Sequence, residues 1–217
     1  MKTRIIAALL LLPFVALCQP ADFGNWLIYI GNKDLGSKFN LAHEIQYRNY
    51  NAVGDLEQLL IRGGLGYDLS DNANILAGYG FIQSENYIGS TDEKVGVTEH
   101  RIYQQFTTKK KVGKVGFHHR YRFEQRFVED NFRLRFRYFL GLRFPLKSFN
   151  EGKQSLYFSV YDEIFLNTVA DVFDRNRLYG GIGYEFSPAA RLQIGYLNQF
   201  LNRGNRDQLN VALFSNF

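Results

Sequence analysis

The feature that most constrains this chain is an alternation of side-chain type with period two. It is clearest from Phe132 to Phe144, where Phe132, Leu134, Phe136, Tyr138, Leu140, Leu142 and Phe144 share one parity and Arg133, Arg135, Arg137, Gly141 and Arg143 share the other. A helix would scatter these arginines around its circumference, whereas a strand sorts them onto one face. The same pattern recurs along the chain. Phe39, Leu41, Ile45 and Tyr47 alternate with Asn40, Ala42, Glu44 and Gln46, and Leu59, Ile61, Leu65, Tyr67 and Leu69 with Arg62, Gly64, Gly66 and Asp68. Val115, Phe117, Tyr121, Phe123 and Phe127 oppose His118, Arg120, Arg122, Glu124 and Arg126.

The pattern predicts strands near 25–31, 39–48, 57–69, 74–85, 98–109, 115–127, 132–144, 155–166, 177–186, 191–200 and 208–217. Short turns are expected at Ser70-Asp71-Asn72, Lys111-Val112-Gly113-Lys114 and Ser187-Pro188-Ala189, and longer polar loops at 86–97, 167–176 and 201–207. Closed on themselves, such strands make a barrel. The apolar face of a soluble, lipocalin-like barrel points inward, and that of a membrane barrel points outward.

Three features select the membrane form. Gly64, Gly66, Gly78, Gly80, Gly116, Gly141, Gly181, Gly183 and Gly195 lie on the polar face, where small residues suit a crowded concave wall. The opposite face carries Phe, Tyr and Leu side chains, expected to be too bulky for a narrow interior. The chain ends in an alternating stretch from Leu209 that closes on the aromatic Phe217. The fold class expected is therefore all-β, a transmembrane antiparallel up-and-down β-barrel of about ten to twelve strands. Tyr67, Phe144, Phe186 and Phe217 are placed near strand ends as an interfacial aromatic belt.

One element resists this scheme. Counting back from Phe217 with short turns on the periplasmic side, the segment Trp26 to Gly31 becomes an eleventh strand and puts the N-terminus outside the cell. Either a further short strand precedes Asn40, or this segment does not join the wall.

The first residues read as an export signal. Met1-Lys2-Thr3-Arg4 is basic, Ile5 to Ala16 is apolar, and Ala16-Leu17-Cys18 offers a cut before Gln19. The domain organisation expected is a signal peptide over 1–18 and one barrel domain over 19–217, located in the cell outer membrane. Cys18 is the only cysteine; lipidation there is the alternative to cleavage after it, although Leu17 is large for that motif. A mature chain without cysteine has no disulfide framework and no thiolate metal site. The formal net charge of +5 admits nucleic acid as a partner, but an exported chain seldom meets it, so none is expected.

Four segments taken together carry a family resemblance: Glu99-His100-Arg101-Ile102-Tyr103, Arg120-Tyr121-Arg122-Phe123-Glu124, Tyr161-Asp162-Glu163-Ile164-Phe165 and Arg177-Leu178-Tyr179-Gly180-Gly181-Ile182-Gly183-Tyr184. They resemble a family of small, signal-bearing Bacteroidota proteins catalogued as a domain of unknown function. The resemblance implies an outer-membrane barrel, and it implies no substrate, cofactor or catalytic residue. It also implies that Phe217 is read by the barrel assembly machinery.

The chemistry expected lies on the polar face. Arg101, His118, Arg120, Arg122, Glu124, Arg133, Arg135, Arg137 and Glu163 form a proposed lumen charge network, with arginine in excess over acid. Each charge is made tolerable by a partner, so the plain reading is structural. An anion-selective or small-solute channel is the alternative. An outer-membrane acyl hydrolase is a third reading, but His43, His100, His118 and His119 show no serine spacing that suggests a triad, and no catalytic residue is assigned.

Arg120-Tyr121-Arg122-Phe123 imitates an RNA-binding strand, yet its aromatics continue the apolar face of its neighbours. Gly63-Gly64-Leu65-Gly66 and Gly180-Gly181-Ile182-Gly183 lie inside strands and are not phosphate loops. No metal and no cofactor are expected. Asp92-Glu93, Glu129-Asp130 and Asp171 to Asp174 fall in proposed outer loops, where the plain reading is a solvated loop and contact with the cations that bridge lipopolysaccharide is the alternative. Outer-membrane lipid and lipopolysaccharide are the expected partners, with the oligomeric state left open.

Overall fold

A computed structural model describes residues 23–52, 54–150, 154–169 and 171–217. The signal peptide expected over 1–18, with Cys18, and residues 19–22 lie outside the described residues. The rest forms a closed barrel of eleven strands. They are β1 (Phe23–Gly36), β2 (Phe39–Asn49), β3 (Leu56–Ser70), β4 (Ala73–Tyr87), β5 (Lys94–Val112), β6 (Val115–Val128), β7 (Asn131–Phe149), β8 (Gln154–Asn167), β9 (Phe173–Ser187), β10 (Ala190–Leu201) and β11 (Asn205–Asn216). Successive strands pair antiparallel.

The strand expected at 25–31 forms, and neither alternative offered for it holds: it joins the wall, and among the described residues no further strand precedes Asn40. Instead β1 closes the barrel by pairing parallel with β11, from Phe23 opposite Asp207 to Asn32 opposite Asn216. An odd number of strands leaves the first and last pointing the same way, so a parallel seam is the only closure. Phe217 extends this seam: its N–H donates to the Asn32 carbonyl at 3.0 Å, and its carbonyl accepts from the Asp34 N–H at 2.9 Å.

The strands run longer than the apolar rows that predicted them. The loop expected over 86–97 contracts to 88–93, that over 167–176 to 168–172, and that over 201–207 to 202–204. Backbone pairing continues after the side chains turn polar, because it satisfies N–H and C=O groups in water as well as in lipid. β7 passes through Pro145, which has no N–H to offer, at a register shift between Pro145 and Lys147. At one end of the barrel, β1–β2, β3–β4, β5–β6 and β9–β10 are joined by two-residue turns. The opposite end holds the wider connections 50–55, 88–93 and 168–172, but also the two-residue Glu129-Asp130 turn, with Glu129 at φ 47°. The expected division into short and long ends is therefore incomplete.

Burial is inverted relative to a water-soluble protein. Leu65, Ile102, Phe136, Ile182 and Ile194 are each about half exposed on the outer wall, while Glu124 is 0% and Arg122 4% exposed inside. Such an ordering is favourable in hydrocarbon, where apolar side chains on the outside lose nothing and charges inside are sheltered.

The expectation that aromatic side chains are too large for the interior is corrected. Trp26, Tyr103, Tyr157, Phe165 and Tyr179 are all buried inside, and Phe139 shares the inward parity of Arg137 and Gly141. Phe139, Tyr161 and Tyr179 stack in sequence, with centroids 4.9 and 4.7 Å apart. Glycine makes the room. Tyr103 lies over Gly78 and Tyr157 over Gly183, each directly opposite in register, and Tyr179 covers Gly181 and Gly195. A Cβ at any of these four glycines would collide with the ring. Aromatic and glycine on facing strands thus fill one another's space.

Candidate functional site

The site is the charged interior. β6 and β7, joined by a tight turn, register Glu124 opposite Arg135 and Arg122 opposite Arg137. Period-two geometry then points all four inward within cross-strand reach. Glu124 receives Arg135 at 2.7 Å and Arg137 at 2.7 Å, with Arg101 at 3.7 Å and Arg122 at 3.8 Å. Arg137 also reaches Glu163 at 2.7 Å, which accepts from Arg120 at 2.7 Å. Arg135 extends the mesh to Asp174 at 2.8 Å. Glu99 binds Arg101 at 2.7 Å and Arg126 at 2.6 Å, and Arg62 pairs with Glu44.

The energetics of such a mesh are asymmetric. Desolvating each ion costs several kcal/mol, which bidentate pairing offsets, so the mesh need not add net stability. Removing one member exposes the full cost, about 3–5 kcal/mol, because its partner stays buried and uncompensated. The arrangement therefore specifies one arrangement of the barrel interior.

Of the residues expected in the network, Arg101, Arg120, Arg122, Glu124, Arg135, Arg137 and Glu163 are brought together. Two are not. Arg133 faces Arg126 in register near the start of β7 and is exposed at the rim. Two like charges meet there, and the interior has already opened to solvent. His118 lies nearer the short-turn end, opposite Gly141, with its ring 5.3 Å from that of Phe139. Phe217 stands at that end too, 5.7 Å from His43 and beneath the ammonium of Lys33.

Asp174 joins the network although it falls in a predicted loop, and nothing local in the sequence signals its reach to Arg135. Three glutamines also matter. Arg122 rests on Gln105 at 2.9 Å, Arg177 on Gln199 at 2.8 Å, and Arg48 on Gln46 at 2.9 Å. These arginines lie against aromatic faces as well: Arg122 on Tyr103, Arg177 on Phe165 and Trp26, and Arg48 on Trp26. A π face attracts a guanidinium without neutralising it.

The other histidines are dispersed. His43, His100 and His119 lie on the outer wall, each against a tyrosine hydroxyl of a neighbouring strand: Tyr29 at 3.3 Å, Tyr79 at 2.5 Å and Tyr138 at 3.0 Å. Among the described residues, no three His, Cys, Asp or Glu side chains are grouped to hold a metal ion.

A lumen crossed by ion pairs, inside a wall with an apolar exterior, defines a transmembrane-type barrel. The chain belongs to the family described as a protein of unknown function (DUF2490), whose model matches residues 23–210. It is similar to an uncharacterized protein of Methylorubrum extorquens, 28% identical over 195 residues, covering 85% of this chain and 81% of that one. Among solved structures it is similar to a loop-deletion mutant of OmpT, an outer membrane protein of Vibrio cholerae. That match has a TM-score of 0.42 and 18% identity, and covers 80% of this chain and 58% of the other.

Proposed function

We propose that this protein is a non-conducting outer-membrane barrel with a structural or envelope-interaction role. The observation that carries this reading is the filling of the lumen. Every strand contributes an inward side chain less than a tenth exposed, among them Trp26, Glu44, Arg101, Glu124, Arg137, Phe165 and Leu197. Side chains that reach one another across the interior and pair there leave little room for a solute path, and an anion channel would need its arginines facing water. No catalytic role is assigned.

The ends of the barrel suggest what the surface meets. Lys33, Lys38, Lys109, Lys110, Lys111, Lys114 and Lys147 lie at one end, and Asp92, Glu93, Glu129, Asp130 and Asp171 at the other, where Asp55 is already paired with Lys94. With the two-residue turns in the periplasm, the acidic end faces lipopolysaccharide through bridging cations, and the lysines meet headgroups of the inner leaflet. Phe217, bonded into the seam, is the proposed contact for the assembly machinery.

Planar-bilayer recording tests the function. Purified, heat-modifiable protein should insert without producing conductance steps, whereas regular steps with anion preference would establish the channel instead.

A further inference from the structure

We infer that the parallel seam holds a small inorganic anion of halide size, bound beside Trp26 between Arg48 and Arg177. The indole of Trp26 carries both guanidiniums, with Arg48 at 3.8 Å and Arg177 at 4.7 Å from its ring. All three side chains are buried: Trp26 is 2%, Arg48 6% and Arg177 7% exposed. Yet the two cations have almost no counter-charge. Among the described residues, no carboxylate comes within 4.0 Å of Arg48, and the nearest to Arg177 is Glu163 at 4.0 Å, already bound by Arg120 and Arg137. Both arginines settle for neutral carbonyl oxygens, Arg48 on Gln46 and Gln58, Arg177 on Gln199.

A second observation points to a ligand at the same place. The Trp26 Nε1–H is buried without an acceptor. The Gln208 Nε2 donor is likewise buried without a partner, as are two oxygens that would accept, Gln208 Oε1 and the Oδ1 of Asn210, which stands opposite Trp26 across the seam. Buried polar groups are almost always satisfied, and a cluster of unpartnered ones marks a place for a water or an ion. Water alone would satisfy these groups but leave two like charges on one ring; an anion accepts from the two donors and balances the guanidiniums, while the two amide oxygens are left to water. Its donors would be Trp26 Nε1, Gln208 Nε2 and the remaining guanidinium N–H groups.

The test is refolding of the full barrel at equal ionic strength in chloride, in bromide or in gluconate, which is too large to enter. Halide should raise the melting temperature by roughly 2–4 °C over gluconate. The increment should vanish in Trp26→Phe, which keeps the ring but removes the N–H, and in Arg48→Gln. Crystals grown in bromide should show an anomalous peak within hydrogen-bond distance of Trp26 Nε1. Equal melting temperatures in the three salts, an increment surviving Trp26→Phe, or no peak would each overturn the site. None of these results bears on conduction, so the site and the proposed function fail independently.

Discussion

Around Glu124, four guanidiniums gather on one carboxylate within 3.8 Å. Around Trp26, two guanidiniums gather on one indole, and among the described residues no carboxylate comes closer to either than 4.0 Å. Both regions hold buried arginine inside the same barrel, and the difference lies in which strands meet. β5, β6 and β7 are consecutive hairpins, so acid and base placed a few residues from one turn oppose each other in register. The seam joins the two ends of the chain, where Trp26 meets Arg48 on one side and Asn210 on the other. The first region neutralises its charge internally. The second leaves it to aromatic faces, amide carbonyls and, by the inference above, a bound ion.

The comparison predicts unequal mutational costs. Glu124→Gln should be the most damaging change, costing about 3–5 kcal/mol in equilibrium unfolding, because Arg135 and Arg137 remain buried around a neutral amide. A cost below about 1 kcal/mol would mean that the cluster is solvated. Ile102→Arg, at the centre of β5 on the outer wall, should cost about 2–4 kcal/mol in lipid. Tolerance of that change would put the apolar rows on the wrong side of the wall. Arg177→Met should cost no more than about 1 kcal/mol in halide-free medium, since it removes a buried cation that no carboxylate neutralises. Folded yield on unheated gels ranks all three.

The smallest effect is a pH dependence at the loop end. Burial raises the Asp55 carboxyl, but hydrogen bonds from Lys94 and Tyr87 outweigh it and hold the group below its ordinary value of 3.8. A depressed carboxyl contributes stability that is present above its unfolded pKa and lost as pH falls through its folded one. Amide exchange in the 50–55 connection should therefore stay slow at neutral pH and accelerate only in acid below the ordinary aspartate range. Asp55→Asn should exchange faster already at neutral pH.

How much of this was legible follows the same division. The wall was readable because alternation is local: the rows from Phe132 to Phe144 state which side chains face out without reference to any partner. The Glu124 cluster was readable for the related reason that Arg122, Glu124, Arg135 and Arg137 sit on adjacent strands. The parallel closure was not, since pairing between Trp26 and Asn210 leaves no trace in either segment. Asp174 was hidden by a loop that turned out to be strand. Phe139 and Tyr179 interrupt polar rows, and the glycines beside them explain how they fit: Gly141 under Phe139, Gly181 and Gly195 under Tyr179. The glycines were visible, but their role as sockets for rings depends on register across strands.

In a barrel that spans the bilayer as proposed, charge and Trp26 face inward while the apolar rows face lipid. Trp26 is the only tryptophan in the chain, so its fluorescence reports one position. In vesicles whose acyl chains carry bromine, the wild-type emission should be nearly unquenched, and a Trp26→Phe, Ile102→Trp double variant should be strongly quenched. Strong quenching of the wild type, with little in the double variant, would contradict the account and turn the barrel inside out.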